Sequence, residues 1–163
     1  MKKTTKMKIG LTCLMTAGMQ ADVFAEDAVP TVKKVCKHFV MAEGIAAPEV
    51  TFSFIAEKVT KDAPNATIDK LTYSNADTTT VKNGLSSFDK EAEITFGTFP
   101  HIGLYEYTIS ETVGAGDGIT YDTASYDLNV YVANNDDGNL EVQSITAEKD
   151  GMKQNELSFT NTY

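Results

Sequence analysis

Tyr126-Asp127-Leu128-Asn129-Val130-Tyr131-Val132 puts Tyr126, Leu128, Val130 and Val132 on one parity and Asp127, Asn129 and Tyr131 on the other. Successive side chains of a strand point to opposite faces, so the stretch reads as a strand with one buried face. Asn134-Asn135-Asp136-Asp137-Gly138 follows as a turn and leads into a second run over 140–147. Upstream, Val50-Thr51-Phe52-Ser53-Phe54 alternates in the same way, and residues 29–39, 68–73, 92–99 and 104–111 are strand-like. Downstream, 157–163 is a closing strand. Gly114-Ala115-Gly116-Asp117-Gly118 reads as a flexible turn, and Asn83-Gly84 ends a polar stretch (74–87) with a strong turn signal. About seven to nine short strands separated by turn signals indicate an all-β sandwich. No helical period competes with them in residues 26–163.

The N-terminus reads differently. Lys2, Lys3, Lys6 and Lys8 precede a short apolar stretch over 9–19, and Val23-Phe24-Ala25 is a small-residue cleavage site. Residues 1–25 are therefore expected to be a secretory signal peptide, too short for a membrane span, and residues 26–163 the domain. Cys13 lies in a weak lipobox context. Cleavage would remove four of the 14 Lys and one of the 23 acidic residues, leaving 10 against 22, a net charge of −12. Such a surface, in a chain with no Arg, argues against phosphate and nucleic-acid partners. Cys36 would then be the single cysteine, so no internal disulfide is expected. The bland reading of Cys36 is a small buried hydrophobe.

Most candidate sites dissolve on inspection. Gly114–Gly118 has no following Lys and no helix to open, as a phosphate loop requires. Asp136 and Asp137 lack the spacing of a calcium loop, and His38 and His101 have no metal-ligand spacing. No cofactor or metal is expected, and no constellation supports an enzyme with turnover.

Three polar residues do stand out. Lys34 falls on the parity of Val32 and Cys36, Glu111 on that of Tyr105, Tyr107 and Ile109, and Asn161 on that of Leu157, Phe159 and Tyr163. Each is aimed at a core, where an unpaired charge is costly. They could form a buried Lys34–Glu111 salt bridge, or the strand phases could slip at a bulge. A third reading is chemical. A neutral Lys amine can attack an Asn side-chain amide, expel ammonia and leave a Lys–Asn isopeptide bond.

The order and spacing of several segments resemble the isopeptide-linkage domain of Gram-positive, streptococcal-type backbone pilins. The likeness spans 31–163. It is carried by Thr31-Val32-Lys33-Lys34, Val50-Thr51-Phe52-Ser53-Phe54, Gly103-Leu104-Tyr105-Glu106-Tyr107-Thr108-Ile109-Ser110-Glu111, Gly118-Ile119-Thr120-Tyr121-Asp122, the Tyr126–Val132 run and Phe159-Thr160-Asn161. The resemblance implies an Ig-like sandwich of the collagen-adhesin B type. It implies that Lys34 bonds Asn161 and that Glu111 promotes the reaction. It also implies a structural pilus subunit, secreted and held at the cell surface, joined to other pilin subunits by a sortase. Lys153 lies in the place of the linking Lys, with Lys149 as its competitor. An adhesin module gripping a host surface ligand through loops such as 74–87 is the alternative. Two departures stand out: no sorting signal precedes the end at Tyr163, and the second domain of such pilins is not in this sequence. The expectation is either a truncated reading of a longer pilin or a one-domain protein.

Overall fold

The computed structural model describes residues 32–163; the expected signal peptide and Cys13 lie outside the described residues. Every strand or helix assigned among them is a strand. In chain order these are β1 Lys34–Ala42, β2 Val50–Phe52, β3 Phe54–Lys58, β4 Ala66–Ile68, β5 Leu71–Tyr73, β6 Thr80–Lys82, β7 Leu85–Phe96, β8 Gly103–Glu111, β9 Ser125–Asn134, β10 Leu140–Lys149, β11 Met152–Gln154 and β12 Leu157–Thr162.

They form two five-stranded sheets. One runs β12-β1-β7-β4, with β6 also on β7; the other runs β11-β10-β9-β8-β3; β2 and β5 make a separate ribbon. The inner faces hold Val35, Phe39, Phe88, Ala92, Leu157 and Phe159 from the first sheet against Tyr105, Tyr107, Ile109, Leu128, Val130 and Ile145 from the second. Aromatic rings lock the layers together. Phe159 of β12 meets Tyr126 of β9 at 5.2 Å and Phe54 of β3 at 5.5 Å, and Phe96 of β7 meets Tyr107 of β8 at 5.3 Å. This is the expected β-sandwich.

Turn chemistry sets the hairpins. Asn83 and Gly84 both take positive φ, 53° and 75°, as a two-residue hairpin turn requires, so part of the polar stretch before β7 becomes β6. Between β9 and β10, the Asn135 Oδ1 accepts from the backbone N–H of Asp137 and Asn139, which closes the acidic turn. The first and last described strands meet: β12 lies parallel to β1, with Lys37 in register with Phe159 and Phe39 with Asn161.

One strand phase is corrected. Lys34 is exposed, not core-facing; the inward set of β1 is Val35, Lys37, Phe39 and Met41. The reason lies just before the strand. The Val32 N–H bonds the Ile145 carbonyl of β10, whereas the Lys33 carbonyl accepts from Ile94 of β7. The chain thus passes from one sheet to the other between Val32 and Lys34, and Val32's parity does not carry into β1.

Candidate functional site

Three elements converge in the core between the sheets. β1 contributes Lys37, its parallel neighbour β12 contributes Asn161, and β8 of the opposite sheet contributes Glu111. Lys37 is in register with Phe159, two residues before Asn161, so the two side chains are diagonal neighbours on one face. Lys37 and Asn161 are fully buried, and the Glu111 side chain has no exposed surface.

The contacts are continuous. The Lys37 Nζ donates to Glu111 Oε2 at 2.8 Å, and the Asn161 Nδ2 donates to Glu111 Oε1 at 2.8 Å. One carboxylate therefore touches both the amine and the amide nitrogen. The Asn161 Oδ1 accepts from the Asp122 N–H at 2.8 Å. A backbone N–H can only donate, so this bond fixes which end of the amide is oxygen. The Phe52 ring lies 4.6 Å from Nζ and closes the site on that side. Among the described residues, no buried side-chain nitrogen or oxygen lacks a partner.

Burial pushes both titratable groups toward neutrality. Desolvation is the largest influence on Lys37 and lowers its pKa, opposed by the bond to Glu111. Desolvation likewise raises the pKa of Glu111, opposed first by Lys37. Burial thus favours the uncharged form of each group, while the bond between them favours the charged forms.

The site's lid is the 112–124 segment. Thr120 and Thr162 exchange backbone hydrogen bonds, which lays the segment along the outer edge of β12. The glycines expected to make a flexible turn have a packing role here. A Cβ at Gly114 would collide with the Tyr121 hydroxyl, and one at Gly116 would strike the Ile119 side chain.

Of the residues expected from sequence, Glu111 and Asn161 come together and Lys34 does not join them. Lys34 pairs with Glu91 at 2.8 Å and Glu93 at 3.2 Å on the surface, and the Glu91 hydrogen bond is the main cause of its raised pKa. Lys37 takes the core position. The missed signal was the longer apolar parity Val35-x-Lys37-x-Phe39-x-Met41. Cys36 is buried as expected, with its thiol 3.7 Å from a Glu156 carboxylate oxygen. Lys153 is exposed on the edge strand β11, while Lys149 is partly covered with its ammonium over the Tyr126 ring at 5.5 Å.

Known proteins share this arrangement of strands. A pilin of Streptococcus pyogenes serotype M1 is 31% identical over 108 residues, 65% of this chain and 31% of that protein. The crystal structure of the major pilin from Streptococcus pyogenes superposes with a TM-score of 0.62 at 26% identity, covering 81% of this chain and 50% of that one. The major pilin T-13 of the same species gives a TM-score of 0.61 at 25% identity, covering 83% and 54%. The chain thus spans about a third of the curated relative's length and about half of each of these solved chains. The model of the Spy0128-like isopeptide containing domain, FctA, matches residues 30–163, and the chain belongs to that family.

Proposed function

We propose that the domain links itself through a Lys37–Asn161 isopeptide bond promoted by Glu111, and that it serves as a structural subunit of a surface fibre. The observation that supports this most is the buried chain of contacts from Lys37 Nζ through Glu111 to Asn161 Nδ2, each 2.8 Å. A salt bridge alone would not require an amide on the far carboxylate oxygen, nor the amide carbonyl held by a separate donor.

The reaction starts from the neutral amine and neutral acid that the dry core favours. The Nζ lone pair attacks Asn161 Cγ. A proton leaves Nζ for Glu111 Oε2, and Glu111 gives a proton to Nδ2. The Cγ–Nδ2 bond breaks, ammonia departs, and Glu111 ends as the acid it was. Folding supplies the proximity that makes a weak electrophile react. The product is a neutral amide, which the core accommodates at little cost. A tryptic digest should contain one branched peptide joining the Lys37 and Asn161 segments. Separate, unmodified peptides from folded protein would reject the bond.

The fibre role rests on family membership together with the placement of Lys153. The proposed sequence of events is export with removal of residues 1–25, self-linkage, and sortase-catalysed joining to further pilin subunits through Lys153 at the cell surface. Exposure on an edge strand suits Lys153 to an external enzyme, and its neighbour Lys149 is partly occupied by Tyr126. With the cognate sortase, the wild type should form high-mass ladders and Lys153→Ala should not. Ladders that persist in Lys153→Ala and vanish in Lys149→Ala would reassign the link.

A further inference from the structure

The lid segment's backbone pairs with β12 at an isolated bridge, beside the reacting amide. Thr120 and Thr162 exchange both backbone hydrogen bonds, 2.8 and 3.1 Å, and so form a hydrogen-bonded antiparallel pair. The next such pair along the ladder would be Asp122 with Thr160. There the backbone bonds are replaced. The Thr160 N–H donates instead to the Asp122 carboxylate Oδ2 at 2.7 Å, and the Asp122 N–H donates to Asn161 Oδ1 at 2.8 Å. The other carboxylate oxygen of Asp122 accepts from the Ala124 N–H at 2.8 Å. The Asp122 side chain therefore does the ladder's work for Thr160, and its own N–H is released toward the Asn161 side chain.

Resting on the isopeptide reading above, we infer that the Asp122 backbone N–H is the oxyanion donor of the linking reaction, held in place by the Asp122 carboxylate. When Nζ adds to Cγ, the C=O double bond opens and negative charge develops on Oδ1. A donor already within hydrogen-bond distance of that atom, in a water-poor site, stabilises the developing charge without reorganising. Glu111 serves the opposite side of the same amide, at Nδ2. The electrophile is thus gripped at both heteroatoms, by a proton carrier where the leaving group forms and by a fixed dipole where the charge forms. The carboxylate of Asp122 acts as a positioning group: it ties residue 122 to Thr160, the residue that precedes Asn161 in β12.

The test deletes one hydrogen-bond donor at a time. Replacing residue 122 by the α-hydroxy acid counterpart of aspartate turns its amide into an ester and removes the N–H while keeping the carboxylate. The same exchange at Thr120 removes a ladder bond of the same segment that does not touch Asn161. Freshly synthesised chains are then followed by intact mass for the loss of ammonia. The ester at 122 should link on the order of 10²-fold more slowly than the wild type, and the ester at 120 should link at close to the wild-type rate. In a Lys37→Ala background, where no linkage can form, the two esters should melt alike. In that background, too, a scalar coupling between the Asp122 amide nitrogen and the Asn161 side-chain carbonyl carbon should be seen by NMR, a readout independent of whether either ester folds. Wild-type linkage rates in the ester at 122, equal slowing by both esters, or no such coupling would overturn the oxyanion assignment alone. No mass loss in the wild type would overturn it together with the isopeptide reading.

Discussion

At the scale of single residues, the difference between Lys34 and Lys37 carries the chemistry. Both are lysines of one strand, three residues apart, and therefore on opposite faces. Lys34 meets two surface carboxylates, whereas Lys37 meets one buried carboxylate shared with an amide. Lys37→Ala and Asn161→Ala are expected to abolish the linkage and to weigh what their own sequences require, and Lys34→Ala to keep both the loss of one ammonia relative to its own sequence mass and a melting temperature near that of the wild type; comparing the three by intact mass checks the assignment. Glu111→Ala should be the most damaging variant. It removes the proton carrier and leaves the Lys37 amine in the core without its carboxylate, a loss of about 3–5 kcal/mol for a broken buried pair. Denaturant unfolding against Asn161→Ala, which lacks the bond as well but keeps the Lys37–Glu111 pair, isolates that cost; equal stability of the two variants would contradict it. Glu111 and Asn161 were legible in the sequence because each sits deep in a regular strand whose parity is set by aromatic neighbours. Lys37 was not, because Val32 set the wrong parity across a sheet crossing that alternation cannot register.

At the scale of elements, most strands could be read from alternation, and the sandwich followed from their number and turns. What alternation missed were the short pairings imposed by neighbours: β6, stabilised by the Asn83-Gly84 turn, and the split of the 68–73 region into parts of β4 and β5, which pair with different strands. The parallel pairing of β1 and β12 is a long-range choice with no local signature. The connections between strands also carry charge pairs. His101, before β8, meets Asp62, after β3, at 2.5 Å, and its other ring nitrogen contacts the Ile102 carbonyl. The Ile102 contact, then Asp62, raises the imidazole pKa above 6.5, and the His101 bond lowers that of Asp62 below 3.8. The His101 share of stability is therefore fully present below pH 6.5 and lost as pH rises through its raised pKa. The Asp62 share is present above pH 3.8 and lost as pH falls through its lowered pKa. An NMR titration should find His101 above 6.5 in the wild type and lower in Asp62→Asn; an unchanged midpoint would show that the pair does not form in solution.

At the scale of the whole molecule, the proposed bond joins the first described strand to the last, which already lie side by side. Force arriving at one end could cross to the other through a covalent link, without peeling the sandwich. Closing so long a loop restricts the unfolded chain, on the order of 5 kcal/mol in the chain-entropy model. For a domain of this size, that corresponds to a melting temperature higher by roughly 15–20 °C than in Asn161→Ala, measurable by calorimetry. In the proposed fibre, the buried trio would give the domain a covalent tie that Cys36, a free cysteine among the described residues, does not provide. The most direct test of the central claim is the intact mass of the purified, folded protein. The linked protein should weigh about 17 Da less than its sequence requires, the mass of one lost ammonia, and Lys37→Ala should show no deficit against its own sequence mass. A well-folded wild type at the full sequence mass would contradict it and leave Lys37 and Glu111 as a buried ion pair.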